Sequence, residues 1–169
     1  RTNVDAVASG RLTVGAATLT GASVSLESSG EFTIGTKAAL TANNLTLGGS
    51  AIHFADADSG LTGLVLTPEL RASLSRAKAL TLRTSGVIDF ADGEYQFGDL
   101  TLAAPGLALA NANDGAVRIV ADDLRFDTGA AATAACGASG SLACGAGRLT
   151  IDTRTATFGD GVLHTYGAG

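Results

Sequence analysis

The chain of 169 residues has no methionine and no tryptophan, only two prolines, and few charged residues, at 16%. Its eleven Lys and Arg form no basic cluster and the net charge is −5, which argues against a phosphate-neutralising face for nucleic acid. Its apolar runs are far shorter than the roughly eighteen residues of a membrane span. No charged-then-apolar leader follows Arg1. From the missing methionine we expect one domain, residues 1–169, excised from a longer chain.

What is abundant is glycine, at 23 residues, together with apolar residues at 46% and many Ala, Thr, Ser, Leu and Val. Thr and Val favour strands, and glycine supplies the turn conformations between them. The apolar content is sufficient for a core within one domain. The composition therefore favours strands joined by tight turns and disfavours long helices.

Short apolar-polar-apolar triplets recur along the sequence. Leu80–Leu82 is followed after a few residues by Ile88–Phe90, and Leu100–Leu102 is followed by Leu107–Leu109. Alternation with period two puts the outer residues of each triplet on one face of a strand. A return after about twenty residues is typical of a solenoid, in which each repeat buries its face against its neighbours.

The repeat predicts which triplets lie on adjacent coils. The expected neighbours are Leu12–Val14 with Phe32–Ile34, Val24–Leu26 with Leu45–Leu47, Leu45–Leu47 with Leu80–Leu82, and Ile52–Phe54 with Ile88–Phe90. The predicted fold is all-β, a right-handed parallel β-helix with coils of about 20 residues. The expected inward residues are Leu45, Leu47, Ile52, Phe54, Leu80, Leu82, Ile88, Phe90, Leu100, Leu102, Leu107 and Leu109.

Two segments interrupt this repeat. Residues 67–77 predict a short helical insertion, because Thr67 can cap a helix, Pro68 suits its first position, and Leu70, Leu74 and Ala77 share one face. Residues 127–147 predict a long loop, since this Gly/Ala/Ser-rich segment is too poor in large apolar residues to build core.

The two cysteines, Cys136 and Cys144, lie in this predicted loop. Their spacing matches neither a zinc half-site nor a redox motif. Two interpretations remain open: a small disulfide formed in an oxidising compartment, or two free thiols.

The tandem LTL-turn-IHF, LTL-turn-VIDF and LTL-turn-LAL units resemble the shaft of filamentous-haemagglutinin-like large exoproteins. The most specific part of the resemblance runs from Gly63 to Phe90. The resemblance implies a right-handed β-helical shaft of a Gram-negative surface protein exported by two-partner secretion. It also implies an outer-membrane transporter as partner during export. Neither an amino-terminal secretion domain nor a carboxy-terminal effector module is evident.

Neither histidine predicts catalysis. His53 lies between Ile52 and Phe54, so alternation points it away from the core, and we expect a solvated side chain. His164 has no neighbouring carboxylate or cysteine in sequence. A nucleophilic relay, which needs a base next to its nucleophile, therefore has little support.

Several carboxylates are expected to share one corner of the repeat, because Phe54 and Phe90 occupy equivalent positions. They are Asp56, Asp58, Asp89, Asp92 and Glu94. Paired carboxylates could cleave polysaccharide, and Asp56, Asp58 and Asp92 could hold Ca²⁺. The alternative is that Asp stands there because it makes turns.

The favoured function is a structural shaft of a secreted bacterial cell-surface adhesin or exoprotein. Such a segment would space or present adhesive or effector regions, without catalysis and without a cofactor. Its possible partners include a glycan or protein on a host or neighbouring cell. The alternatives are a β-helix polysaccharide-cleaving enzyme and a module whose strand ends assemble into filaments.

Overall fold

A computed structural model describes residues 10–56, 60–109, 115–127, 147–159 and 164–166. These residues form fourteen strands and one short helix. In chain order the elements are β1 Leu12–Val14, β2 Thr18–Glu27, β3 Phe32–Ile34, β4 Ala39–Gly49, β5 Ile52–Phe54, β6 Leu64–Val65, α1 Pro68–Leu74, β7 Ala79–Thr84, β8 Val87–Phe90, β9 Gly93–Phe97, β10 Asp99–Ala103, β11 Gly106–Leu109, β12 Gly115–Phe126, β13 Gly147–Phe158 and β14 His164–Tyr166.

The strands form two parallel sheets, which confirms the all-β class. One sheet has the order β1-β3-β6-β5-β8-β11-β14. The other has the order β13-β12-β10-β7-β4-β2, with β9 paired to β12. Consecutive strands in sequence generally alternate between the sheets, so strands of one sheet belong to successive passes of the chain.

The pairing register confirms the expected alignment of the triplets. Leu12 pairs with Phe32 and Val24 pairs with Leu45. Leu45 with Leu80 and Ile52 with Ile88 are also paired as predicted, and the repeat continues with Leu80 beside Leu100 and Ile88 beside Leu107. Equivalent apolar residues therefore lie side by side along each sheet.

This alignment builds one core between the two sheets. All twelve residues predicted to point inward are at most 2% exposed. Phe54 stacks on Phe90 with ring centroids 4.5 Å apart, and Tyr95 meets the edge of Phe54 at 4.9 Å. Burial of this apolar surface is the main favourable contribution to folding.

The predicted helix is present but shorter than residues 67–77. It spans Pro68–Leu74, with Thr67 at its N-cap position and Ser75 at its C-cap. The Thr67 side chain makes no capping hydrogen bond, so that part of the prediction is wrong. Leu70, Leu74 and Ala77 are buried as expected. None of the helical residues that the structure describes form a segment with the length and hydropathy of a membrane span.

Helix α1 occupies a position that a strand would otherwise fill. Strand β7 begins beside Asn44 of β4, so residues 39–43 of β4 have no described strand partner on that side. Helix α1 contacts β4 there. Two turns of helix replace a short length of strand because Leu70 and Leu74 supply the inward apolar face.

The repeat in the sequence does not predict where strands β6 and β9 lie in the sheets. Strand β6 lies between β3 and β5 although it follows β5 in the chain. Gly63 precedes it with φ of +119°, and a Cβ there would lie 2.5 Å from the Ala51 carbonyl oxygen. This close approach, in a conformation that side chains disfavour, requires glycine.

Strand β9 pairs with the first half of β12, and Tyr95 and Phe97 of β9 are buried. Their alternation with Glu94 and Gln96 is an ordinary strand pattern. The predicted loop of residues 127–147 lies, apart from its two end residues, outside the described residues.

Replacing Phe90 with Ala should lower the free energy of unfolding by about 3–5 kcal/mol, because the change leaves a cavity in the stacked core. Phe158→Ala is the matched control, since Phe158 is 64% exposed and should cost far less. Denaturant unfolding followed by circular dichroism measures both. Equal losses for the two variants would contradict the assigned core.

Candidate functional site

His53 is fully buried, so the expectation of a solvated side chain is wrong. Its side chain and that of Asp89 are 0% and 1% exposed. His53 Nδ1 lies 2.7 Å from Asp89 Oδ1, and Nε2 lies 2.9 Å from the Thr62 carbonyl oxygen. Alternation does turn His53 away from Ile52 and Phe54, but the chain at Thr62 covers this outer face before β6 begins.

The contacts of the His53 ring fix the number of protons that the pair holds. A carbonyl oxygen only accepts hydrogen bonds, so Nε2 donates to Thr62. The short contact between Nδ1 and Asp89 Oδ1 requires one more proton between the two atoms. Ring and carboxyl group therefore hold two protons together and carry no net charge, which makes their burial tolerable.

This geometry gives the buried pair a structural role. Both ring nitrogens of His53 are engaged with protein atoms, so neither can take a proton from a substrate at the surface. The pair connects β5 to β8 and also fixes the segment at Thr62. Sequence reasoning had already aligned Ile52–Phe54 with Ile88–Phe90, which places His53 beside Asp89. The contact between His53 and Asp89 could therefore have been predicted from the alignment of the two triplets.

Four of the five carboxylates expected at one corner of the repeat lie within the described residues. Asp89 is buried against His53, so it is not part of an exposed acidic face. Asp56 Oδ1 accepts a hydrogen bond from Arg71 Nη2 at 3.0 Å, and Glu94 Oε2 accepts one from Arg118 Nη1 at 3.0 Å. Asp92 is exposed, and Asp58 lies outside the described residues.

A shallow groove of about 290 Å³ separates α1 from β9 and is called the Arg71 groove here. Its lining residues are Pro68, Arg71, Ala72, Ser75, Asp92, Gly93, Glu94, Tyr95, Gln96 and Phe97. The groove exists because a helix is wider than the strand whose place it takes. Its walls carry one cation and two carboxylates.

Arg71 and Tyr95 form the inner wall of the Arg71 groove. The Tyr95 hydroxyl donates to the Ala91 carbonyl oxygen at 2.7 Å, and Arg71 Nη1 lies 3.4 Å from the same hydroxyl. The Arg71 guanidinium carbon is 5.2 Å from the Tyr95 ring centroid, a cation–π distance. Arg71 is thus occupied by Asp56 and Tyr95 together.

Burial raises the pKa of the Tyr95 hydroxyl to about 12. Loss of hydration on burial is the largest cause, because it disfavours the phenolate. Arg71 acts in the opposite direction, and the nearby carboxylates of Asp56 and Asp92 add to the increase. Tyr95 therefore remains protonated at neutral pH and serves as a hydrogen-bond donor.

The outward face near β12 carries ion pairs between adjacent strands. Arg118 donates to Glu94 and, at 2.6 Å, to Asp152, and Arg154 donates to Asp123 at 2.7 Å. The hydrogen bond to Asp152 is the first cause of a raised Arg118 pKa, and the bond from Arg154 lowers the Asp123 pKa. Fully exposed pairs of this kind contribute little stability.

The remaining predicted residues add no assembled site. Within the described ranges, no three His, Cys, Asp or Glu side chains lie close enough to hold a metal ion. Cys136 and Cys144 lie outside the described residues, so their pairing stays open. His164 begins β14, beside Gly106.

The fold defines an all-β protein built from two parallel sheets. Comparison of the chain with protein-family models, curated proteins and solved structures gave no match. The function is therefore argued from the architecture and from the side chains described above.

The raised pKa of Tyr95 predicts its titration. Tyr166→Phe leaves Tyr95 as the only tyrosine in a chain without tryptophan, so near-ultraviolet absorbance reports on it alone. The folded protein should ionise at about 12, above the unperturbed value of about 10. The corresponding stability is present below about pH 10 and is lost as pH rises towards 12. Ionisation near 10 with intact circular dichroism would contradict the burial of the hydroxyl.

The buried pair predicts strong coupling between His53 and Asp89. Asp89→Leu should lower the free energy of unfolding by about 3–5 kcal/mol, because it removes the carboxylate that His53 Nδ1 contacts inside the protein. The double variant His53→Leu with Asp89→Leu should lose much less than the sum of the two single losses. Denaturant unfolding of the four proteins gives the coupling, and additive losses would rule it out.

Proposed function

We propose that this chain is a shaft segment of a secreted bacterial cell-surface exoprotein, which spaces or presents adhesive or effector regions and has no catalysis of its own. The proposed form is a right-handed parallel β-helix with coils of about 20 residues. The observation that carries the proposal is the in-register pairing of equivalent triplets across both sheets. A shaft needs such a repeated unit, since each pass of the chain supports the next.

The buried polar groups also support a structural role. His53 and Asp89 satisfy each other inside the protein, and Tyr95 donates to a backbone oxygen. Arg71 is bonded to Asp56. These side chains hold neighbouring segments together, and their polar atoms are already committed to protein partners.

Export, location and partners are proposed from the repeat and from its resemblance to filamentous-haemagglutinin-like exoproteins. The parent protein would cross the outer membrane of a Gram-negative cell through a dedicated transporter and remain at the cell surface or be secreted. The regions that it presents would contact a glycan or a protein of a host or neighbouring cell. No cofactor enters this function.

The polysaccharide-cleaving alternative is not proposed, because three of the carboxylates that motivated it contact protein partners. Asp89 is buried in the pair with His53. Asp56 and Glu94 each accept a hydrogen bond from an arginine. No observation on the described residues favours a pair of carboxylates placed on either side of a glycosidic bond.

The shaft proposal predicts an inert surface. The purified protein, labelled and applied to a glycan array and to whole cells, should show no saturable binding above a denatured sample of the same protein. The outward side chains of the described strands are mostly small or polar. Saturable binding that is lost on denaturation would replace the spacer with an adhesin.

A further inference from the structure

Strand β9 has one edge without a strand partner, and this edge lies in the middle of the stack. Strand β9 pairs with β12 and has no other partner among the described strands. Helix α1 takes the place of a strand on its other side. Further strands that continued the stack would add beyond β2 or β13, so they would leave this inner edge as it is.

The Arg71 groove runs along the whole of this edge. One wall is the continuous stretch of residues 92–97, and the other consists of residues from α1 and its C-cap: Pro68, Arg71, Ala72 and Ser75. Apart from the contacts of Arg71 with Tyr95, no hydrogen bond between described residues crosses from one wall to the other. The backbone of β9 therefore faces an open groove.

The strand edge on the opposite side of α1 offers less room. Residues 40–43 of β4 line a second groove, of about 160 Å³, and α1 packs against β4 there. Arg76 lies in the wall of this second groove, where it donates to the Ala72 carbonyl oxygen and to Ser73 Oγ. Of the two edges that face the helix, the β9 edge is thus the more accessible.

The Arg71 groove has an excess of negative charge. Arg71 donates to Asp56, so its positive charge is already compensated. Asp92 and Glu94 are exposed, and Glu94 shares Arg118 with Asp152. Asp92 has no ion pair within the part of the chain that the structure describes. A positively charged side chain is therefore the one that complements this groove.

We propose that the β9 edge binds an extended, lysine-containing peptide, which lies in the Arg71 groove as an additional strand. A free strand edge offers backbone N–H and C=O groups to such a peptide, whose alternate side chains point to opposite faces. Lysines on the outward face lie near Asp92 and Glu94. The inward side chains must be small, because Leu70 and Leu74 already fill the core at this level. This site goes beyond the proposed shaft function and does not depend on it.

Three peptides test the two parts of this recognition by fluorescence anisotropy. The probe is a labelled peptide of alternating lysine and alanine, Lys-Ala-Lys-Ala-Lys, with both ends blocked. One control replaces each lysine with glutamate. The other keeps the sequence but carries a methyl group on every backbone amide nitrogen, which removes the N–H donors and leaves the side chains unchanged. Saturable binding is expected for the unmethylated lysine peptide alone.

Variants of the protein locate the binding. Ala72→Trp places a large ring in the groove from an exposed helix position and should abolish binding, whereas the same change at exposed Ala22 of β2 should not. Asp92→Asn should weaken binding about two- to fivefold, as expected for the loss of an exposed ion pair. Asp122→Asn is its control, because Asp122 is exposed outside the groove. Circular dichroism confirms folding, and Ser75→Trp blocks the same groove if Ala72→Trp is unfolded.

Hydrogen exchange of the β9 amides completes the test, since bound peptide should slow the exchange of those that face the groove. Absence of saturable binding at millimolar peptide overturns the proposal, as does equal binding of the glutamate or the methylated peptide. Unchanged binding to the variant that fills the groove places the peptide elsewhere. Protection of every β9 amide before peptide is added means that another segment of the chain already covers this edge, which also overturns it.

Discussion

The contact on which this structure depends is the one between equivalent apolar residues on neighbouring parallel strands. A single three-residue strand such as Ile52–Phe54 buries almost nothing alone, yet Ile52 and Phe54 are fully covered because Ile88 and Phe90 lie beside them. Each pass of the chain completes the core of the pass before it. Outward side chains that are exposed to solvent can therefore vary more freely than the inward residues, whereas a polar residue in an inward column would interrupt the core.

The regular pairing of strands is interrupted in the layer formed by α1, β7 and β8. Helix α1 replaces a strand between β4 and β9, so the hydrogen-bond ladder at that level is reduced to β7 in one sheet and β8 in the other. The buried pair of His53 and Asp89 joins β5 to β8 across the same level. This level therefore lacks part of the backbone hydrogen bonding between strands, and it has in addition a buried contact between the side chains of His53 and Asp89.

The sequence was sufficient to predict the all-β class, the alignment of the triplets and the inward residues, because period-two alternation and a repeated spacing are both visible in the letters. It also predicted the helix, through Pro68 and the spacing of Leu70 and Leu74. It failed at His53, where alternation gave the correct face of the strand but could not show that the chain at Thr62 covers that face. The Arg71 groove likewise depends on how far a helix protrudes from a layer of strands.

The shortened ladder at α1 has a mechanical consequence. A pulling force along the stack is carried between neighbouring layers by hydrogen bonds and by packed side chains. The long ladders between β12 and β13 and between β2 and β4 spread that force over many residues. Between β4 and β9 the helix carries no ladder, so the backbone hydrogen bonds of this level lie in the β4–β7 and β5–β8 contacts. At this level the packing of α1 and the buried contact between His53 and Asp89 would share the load with the backbone hydrogen bonds.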